Sequence, residues 1–139
     1  MEKERNRRPV KIGVTEGGGP PPGYKWNVDL LDQSYSDARA FLNRSQYRHL
    51  SNQVRELAME EEPSQSASID VRPIEDFFEI RDKGGVLGRI SVRVFFFICK
   101  RARTIVILGT IKKQNNGQTP VGDKATMRRR MRMYLENHS

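Results

Sequence analysis

Cysteine is nearly absent from this chain. Cys99 is the single one in 139 residues, which excludes an internal disulfide framework and a thiolate metal cluster. As the end of an apolar strand it reads as a small buried hydrophobe. Histidine is almost as scarce. His49 and His138 supply neither a Ser–His–acid set nor a metal-ligand spacing, and both are expected in solvent. No metal and no cofactor are expected. No apolar run approaches the roughly 20 residues that cross a bilayer. Met1-Glu-Lys-Glu-Arg5 is charged and has no apolar segment behind it, unlike a secretory leader. Cytoplasmic residence without a membrane partner is the expectation. Acidic residues are the minority: 17 Asp+Glu stand against 25 Lys+Arg, a formal net charge of +8. After Cys99 come Lys100, Arg101, Arg103, Lys112, Lys113, Lys124, Arg128, Arg129, Arg130 and Arg132, opposed by Asp123 and Glu136. Such asymmetry points to an anionic partner, a nucleic acid or an acidic protein segment.

The chain is long enough for one domain with a real core and too short for two. Residues 1–23 read as a disordered tail, charged at the start and ending in Gly17-Gly-Gly-Pro-Pro-Pro-Gly23, a run hostile to regular structure. A short strand within Val10–Val14 is possible by composition, without a core around it. The domain is placed at residues 24–139. Tyr24, Trp26, Val28 and Leu30 alternate as in a half-buried strand. A helix is expected from about Ser36 to Leu42. A second, capped by Ser45, carries Tyr47, Leu50, Val54, Leu57 and Ala58 on one stripe. Three strands follow, ending at Arg81, spanning Ile90 to Ile98, and running from Thr104 to about Lys113. Gly84–Gly88 and Lys100–Arg103 are the turns between them. The loop 114–120 leads to a last helix capped by Asp123, with Met127, Met131, Tyr134 and Leu135 inward. The order β-α-α-β-β-β-α defines an α+β fold, an antiparallel-rich sheet with helices packed on one face.

The three strands carry cations inside apolar runs, and a buried ion must be paired or reach solvent or a ligand. Period two places Arg89, Ser91 and Arg93 on one strand face, and Phe77, Glu79 and Arg81 on one face of the preceding strand. Lys112 and Lys113 point oppositely, so one of the two joins Arg81 and Arg93. Two readings of these cations stand. They converge on phosphate, or they make pairs of the Arg81–Glu79 type on a solvated face. A reaction served by cations rather than by a histidine base is RNA cleavage by the substrate's own 2′-hydroxyl, where charge must be stabilised on the phosphorane. Gly117-Gln-Thr-Pro-Val-Gly122 is not a phosphate loop, since Asp123 stands where that motif needs Lys.

At these residues the sequence resembles the RelE/HigB family of bacterial toxin–antitoxin systems, in its phage-derived HigB-like branch. Phe78-Glu-Ile-Arg81, Ser91-Val-Arg-Val-Phe95 and Ile107-Leu-Gly-Thr-Ile-Lys-Lys113, followed by Thr119-Pro120 and a basic helix, carry the resemblance. It extends loosely from Tyr24 to Leu135. The resemblance implies a compact RelE-like toxin domain. It also implies an mRNA interferase, an endoribonuclease acting on mRNA at the ribosome and neutralised by a cognate antitoxin, expected to be a helix-turn-helix protein. It makes Arg81, Arg93 and Lys113 the catalytic, phosphate-facing set, with Lys112 as substitute. Arg89, Lys112, Arg128, Arg129 and Arg132 are expected to bind RNA. Active members often carry Tyr or His shortly after the basic pair. The segment 114–121 has neither, and the spacing of Tyr134 marks it as core. The alternatives are a gyrase poison of the same fold, or a non-catalytic phage-derived module that binds RNA or protein.

Overall fold

A computed structural model describes residues 10–12, 20–113 and 117–137. The elements are β1 (Val10–Ile12), β2 (Asn27–Leu30), α1 (Asp32–Arg39), α2 (Arg44–Ala58), β3 (Val71–Pro73), β4 (Phe78–Lys83), β5 (Ser91–Cys99), β6 (Thr104–Lys113) and α3 (Val121–Asn137). They form a mixed, mostly antiparallel sheet in the order β1-β2-β6-β5-β4-β3, with β2 parallel to β6. The α+β fold and its element order are those expected, with short strands β1 and β3 added at the two margins. β1 falls within the segment expected to be a tail and pairs Val10 with Leu30. The remainder of residues 1–19 lies outside the described residues.

The packing differs from the expected single helical layer. Trp26, Val28, Leu30, Val92, Val94, Phe96, Ile105 and Ile107 meet Leu50, Val54 and Leu57 of α2 on one face of the sheet. Phe77, Phe95, Phe97, Val106 and Leu108 meet Met127, Met131 and Tyr134 of α3 on the other. Helices therefore cover both faces. Val92 to Ile98 is apolar at nearly every position because each face of β5 has a helix over it, as in any strand buried from both sides. β2 is correspondingly buried throughout rather than on one side. Its Asp29 accepts a hydrogen bond from Tyr134 Oη at 2.7 Å.

Local chemistry sets the helix ends. Asn43, not Ser45, caps α2. Its side chain accepts from Gln46 N at 2.8 Å while Gln46 Oε1 accepts from Asn43 N at 3.0 Å, a reciprocal capping box. α1 begins four residues before the expected Ser36, and α3 starts at Val121, directly after Pro120. Leu135, expected inward, is exposed. The β5–β6 register shifts between Phe95 and Phe96, whose partners are Gly109 and Ile107, so Leu108 is the extra residue of a bulge. The Leu108 carbonyl accepts from Arg130 Nη1 at 2.8 Å, and that nitrogen also reaches Asp37 Oδ2 at 2.8 Å. A Cβ on Gly109 would collide with Met127 and Arg130, so this glycine lets α3 approach the sheet. Among the described residues no helix is long and apolar enough to cross a membrane.

Candidate anion-binding cleft

The face under α3 has two halves. At the Phe77 end of β4 it is apolar and covered. Toward Lys83 the in-register pairs are Arg81 with Arg93 and Lys83 with Ser91, and Ser91 in turn pairs with Lys113 of β6. Paired residues share a face, so Arg81, Lys83, Ser91, Arg93 and Lys113 lie together. Lys113 is thus the member of the basic pair beside Arg81 and Arg93, and Lys112 belongs to the α2 face. A cleft of about 280 Å³ opens here, lined by Asp70, Arg72, Arg81, Asp82, Lys83, Ser91, Val92 and Arg93.

The cations in this cleft are not equivalent. Arg93 is 2% exposed. Its Nη1 donates to Thr119 Oγ1 at 2.9 Å and its Nη2 to the Gly117 carbonyl. Burial pushes its guanidinium down from the ordinary arginine value. Glu79 opposes that shift, and the positive charges of Arg81 and Arg72 add to it. Arg93 is therefore a buried part of the cleft wall rather than an extended phosphate ligand. Arg81 is 20% exposed and its Nε donates to Glu79 Oε2 at 2.5 Å. Arg72 is held by Asp70 in a two-pronged pair at 3.0 and 3.1 Å, which raises its guanidinium above the ordinary value. Lys83 and Lys113 make no ion pair among the described residues.

Acidic partners are the feature that the charge reading overlooked. Glu79 is fully buried, and the expected alternative of an Arg81–Glu79 pair is present, though inside the protein and not on a solvated face. Asp82 pairs with His49 Nε2 at 2.6 Å, so His49 is half-buried and engaged rather than solvated. His138 lies outside the described residues. Cys99 is half-buried against the cluster beneath α3.

The expected RNA-binding residues are scattered. Arg89 is exposed in the turn before β5, off the strand where alternation had put it. Arg128 makes a two-pronged pair with Glu75 at 2.8 Å for both contacts, which lowers the Glu75 carboxyl below its usual range. Arg129 and Arg132 are exposed on α3. Tyr134 is buried, as its spacing implied. Lys83 and Arg72 were missed, although a signal for Lys83 existed, since it stands two residues from Arg81 on one strand and so on the same face. Among the described residues no three His, Cys, Asp or Glu side chains gather as a metal set.

Comparison with protein-family models, with curated proteins and with solved structures finds no match for this chain.

Proposed function

We propose that the protein is the toxin of a type II toxin–antitoxin system, a ribosome-dependent mRNA interferase of the RelE/HigB kind. The observation that carries this reading is that Arg81, Lys83, Arg93 and Lys113 share one sheet face, where Arg81, Lys83 and Arg93 line a cleft of about 280 Å³. Arg81, Lys83 and Lys113 are the groups offered to the phosphate, with Arg93 contributing its charge from behind. The RNA supplies its own nucleophile. Its 2′-hydroxyl gives up its proton to water and the oxygen attacks the adjacent phosphorus as the P–O5′ bond breaks; O5′ takes a proton from water, leaving a 2′,3′-cyclic phosphate and a 5′-hydroxyl. The protein's contribution is to hold the phosphate in line and to stabilise charge on the phosphorane and the departing oxygen. A cation in a cleft bordered by protein does this better than one in open water. The cognate antitoxin would act by covering the cleft.

The test is induction of the chain in bacteria with growth as the readout, beside mRNA cleavage on purified ribosomes. Growth arrest with cleavage supports the reading. Arrest without cleavage shifts it to a gyrase poison. A chain that neither arrests growth nor cuts RNA is a binding module, a second reading favoured by the carboxylate partners that Arg72, Arg81 and Arg128 already have.

A further inference from the structure

Glu79 stands at the boundary between the apolar and cationic halves of the sheet face, and its two oxygens are divided between two tasks. Oε2 accepts from Arg81 Nε at 2.5 Å, and Oε1 accepts from Thr119 Oγ1 at 2.5 Å. The proton directions follow from chemistry. A guanidinium can only donate, so Thr119 must accept from Arg93 Nη1 and spend its own hydrogen on Glu79. Arg93 Nη1 itself lies 4.0 Å from Glu79 Oε1. A single hydroxyl therefore links the segment after β6 to the carboxylate at the back of the cleft.

We propose that Glu79, with Thr119 as its support, is the positioning group that presents the Arg81 guanidinium to an RNA phosphate. This rests on the RNA-cleaving reading above. Two arguments carry it. First, a buried ionic cluster is a poor way to stabilise a sheet, because apolar residues of similar volume generally serve as well or better. Second, the cluster reaches the cleft through Arg81, which lines it. Arg81 and Arg93 are directly paired across β4 and β5, where like charges repel, and Glu79 offsets that repulsion while Arg81 still lines the cleft. The arrangement holds a cationic fork rigid at the surface by a carboxylate hidden beneath it. Rigid placement matters most for an interaction realised in the transition state.

The charge count makes the proposal testable. Arg81, Arg93 and Glu79 together carry one net positive charge; with glutamine at 79 they carry two. Glu79→Gln keeps the shape, loses the ionic hold on Arg81 and adds positive charge behind the cleft. Ground-state RNA binding and cleavage should then move in opposite directions. The full chain is titrated with a fully 2′-O-methylated single-stranded oligonucleotide, which cannot be cut, and assayed for mRNA cleavage on ribosomes. Glu79→Gln is expected to bind the oligonucleotide about threefold tighter or better and to cleave about 100-fold more slowly. Proportional losses of both would mark a merely structural residue and overturn the proposal, as would parental cleavage by folded Glu79→Gln. Should that variant not fold, Thr119→Val and Thr119→Ser decide. Thr119→Val is expected to cleave about tenfold more slowly with binding unchanged, and Thr119→Ser to cleave as the parent does. Equal cleavage by Thr119→Val overturns the proposal. A parent that does not cut mRNA at all overturns the cleavage reading itself, and this inference with it.

Discussion

The two halves of the sheet face beneath α3 are built on the same strands, two residues apart, and behave as different materials. Phe77, Phe95, Phe97, Val106 and Leu108 are sealed by Met127, Met131 and Tyr134. Arg81, Lys83 and Ser91 continue the same alternation into an open cleft, with Lys113 beside Ser91 on the same face. α3 separates them by stopping short, and the Glu79–Arg93–Thr119 cluster forms the seam. A helix that covered the whole face would have required apolar residues at 81, 83 and 113. The cations are tolerated because Glu79 pairs with Arg81 and because Lys83 reaches solvent. A strand can therefore serve stability at one end and recognition at the other, provided that its polar residues at the junction satisfy one another.

Substitutions in the two halves should separate stability from activity. The largest effect belongs to the seam. Arg93→Ala removes the donor to Thr119 and Gly117 and leaves Glu79 short of charge compensation, so it is expected to cost about 3–5 kcal/mol in urea unfolding. This reverses what a surface-facing Arg93 would give, which is lost activity in an intact fold. Phe95→Ala, in the sealed half, should cost a similar amount, about 3–5 kcal/mol, while any folded fraction retains its affinity for RNA.

In the open half the pattern inverts. Lys83→Ala and Lys113→Ala should each lower mRNA cleavage by about 100-fold with the unfolding midpoint unchanged. Lys112→Ala, on the other face, is the control and should cleave as the parent does. Parental cleavage by both of these lysine variants would erase the distinction between the halves. Binding of RNA should also weaken steeply as salt rises, in proportion to the phosphates contacted. A constant affinity between low and physiological salt would remove nucleic acid as the ligand.

The smallest effect comes from the far end of the sealed half. Burial, and then the Asp29 acceptor, hold the Tyr134 phenol well above its ordinary value. A group whose value is raised on folding stabilises below its unfolded value and loses that contribution as pH climbs past it. Stability should therefore decline above about pH 10, and Tyr134→Phe should flatten this decline at a cost of about 1–3 kcal/mol at neutral pH. Identical alkaline unfolding profiles for the two proteins would show that the buried phenol is not the titrating group.

Much of this was legible in the residues. The apolar stripe of Leu50, Val54, Leu57 and Ala58 marks α2, and the alternation of Phe77, Glu79 and Arg81 against Phe78 and Ile80 marks β4, because each period maps directly onto one buried face. The choice between Lys112 and Lys113 was not legible. It depends on the bulge at Leu108, which shifts the β6 register by one residue, and no local pattern announced it. The second helical layer was missed although its signal was present, in the apolar run from Val92 to Ile98 that marks a strand covered on both faces. His49 looked solvated because Asp82 is 33 residues away in the chain.

By itself, the sequence determined the α+β order, the presence of a cationic strand face, and the inward stripe of α2. These are local properties, written in periods of two and 3.6 and in the sign of side chains. Only the tertiary structure decided which cations reach solvent. Arg81 and Arg93 are the same residue type on paired positions and both border the cleft, yet one is 20% exposed and the other 2%. The difference lies in Gly117 and Thr119, which fold back from beyond β6 to accept the Arg93 guanidinium. A charge inside a protein is placed by whichever distant groups satisfy it, and their identity emerges only when the chain has closed on itself.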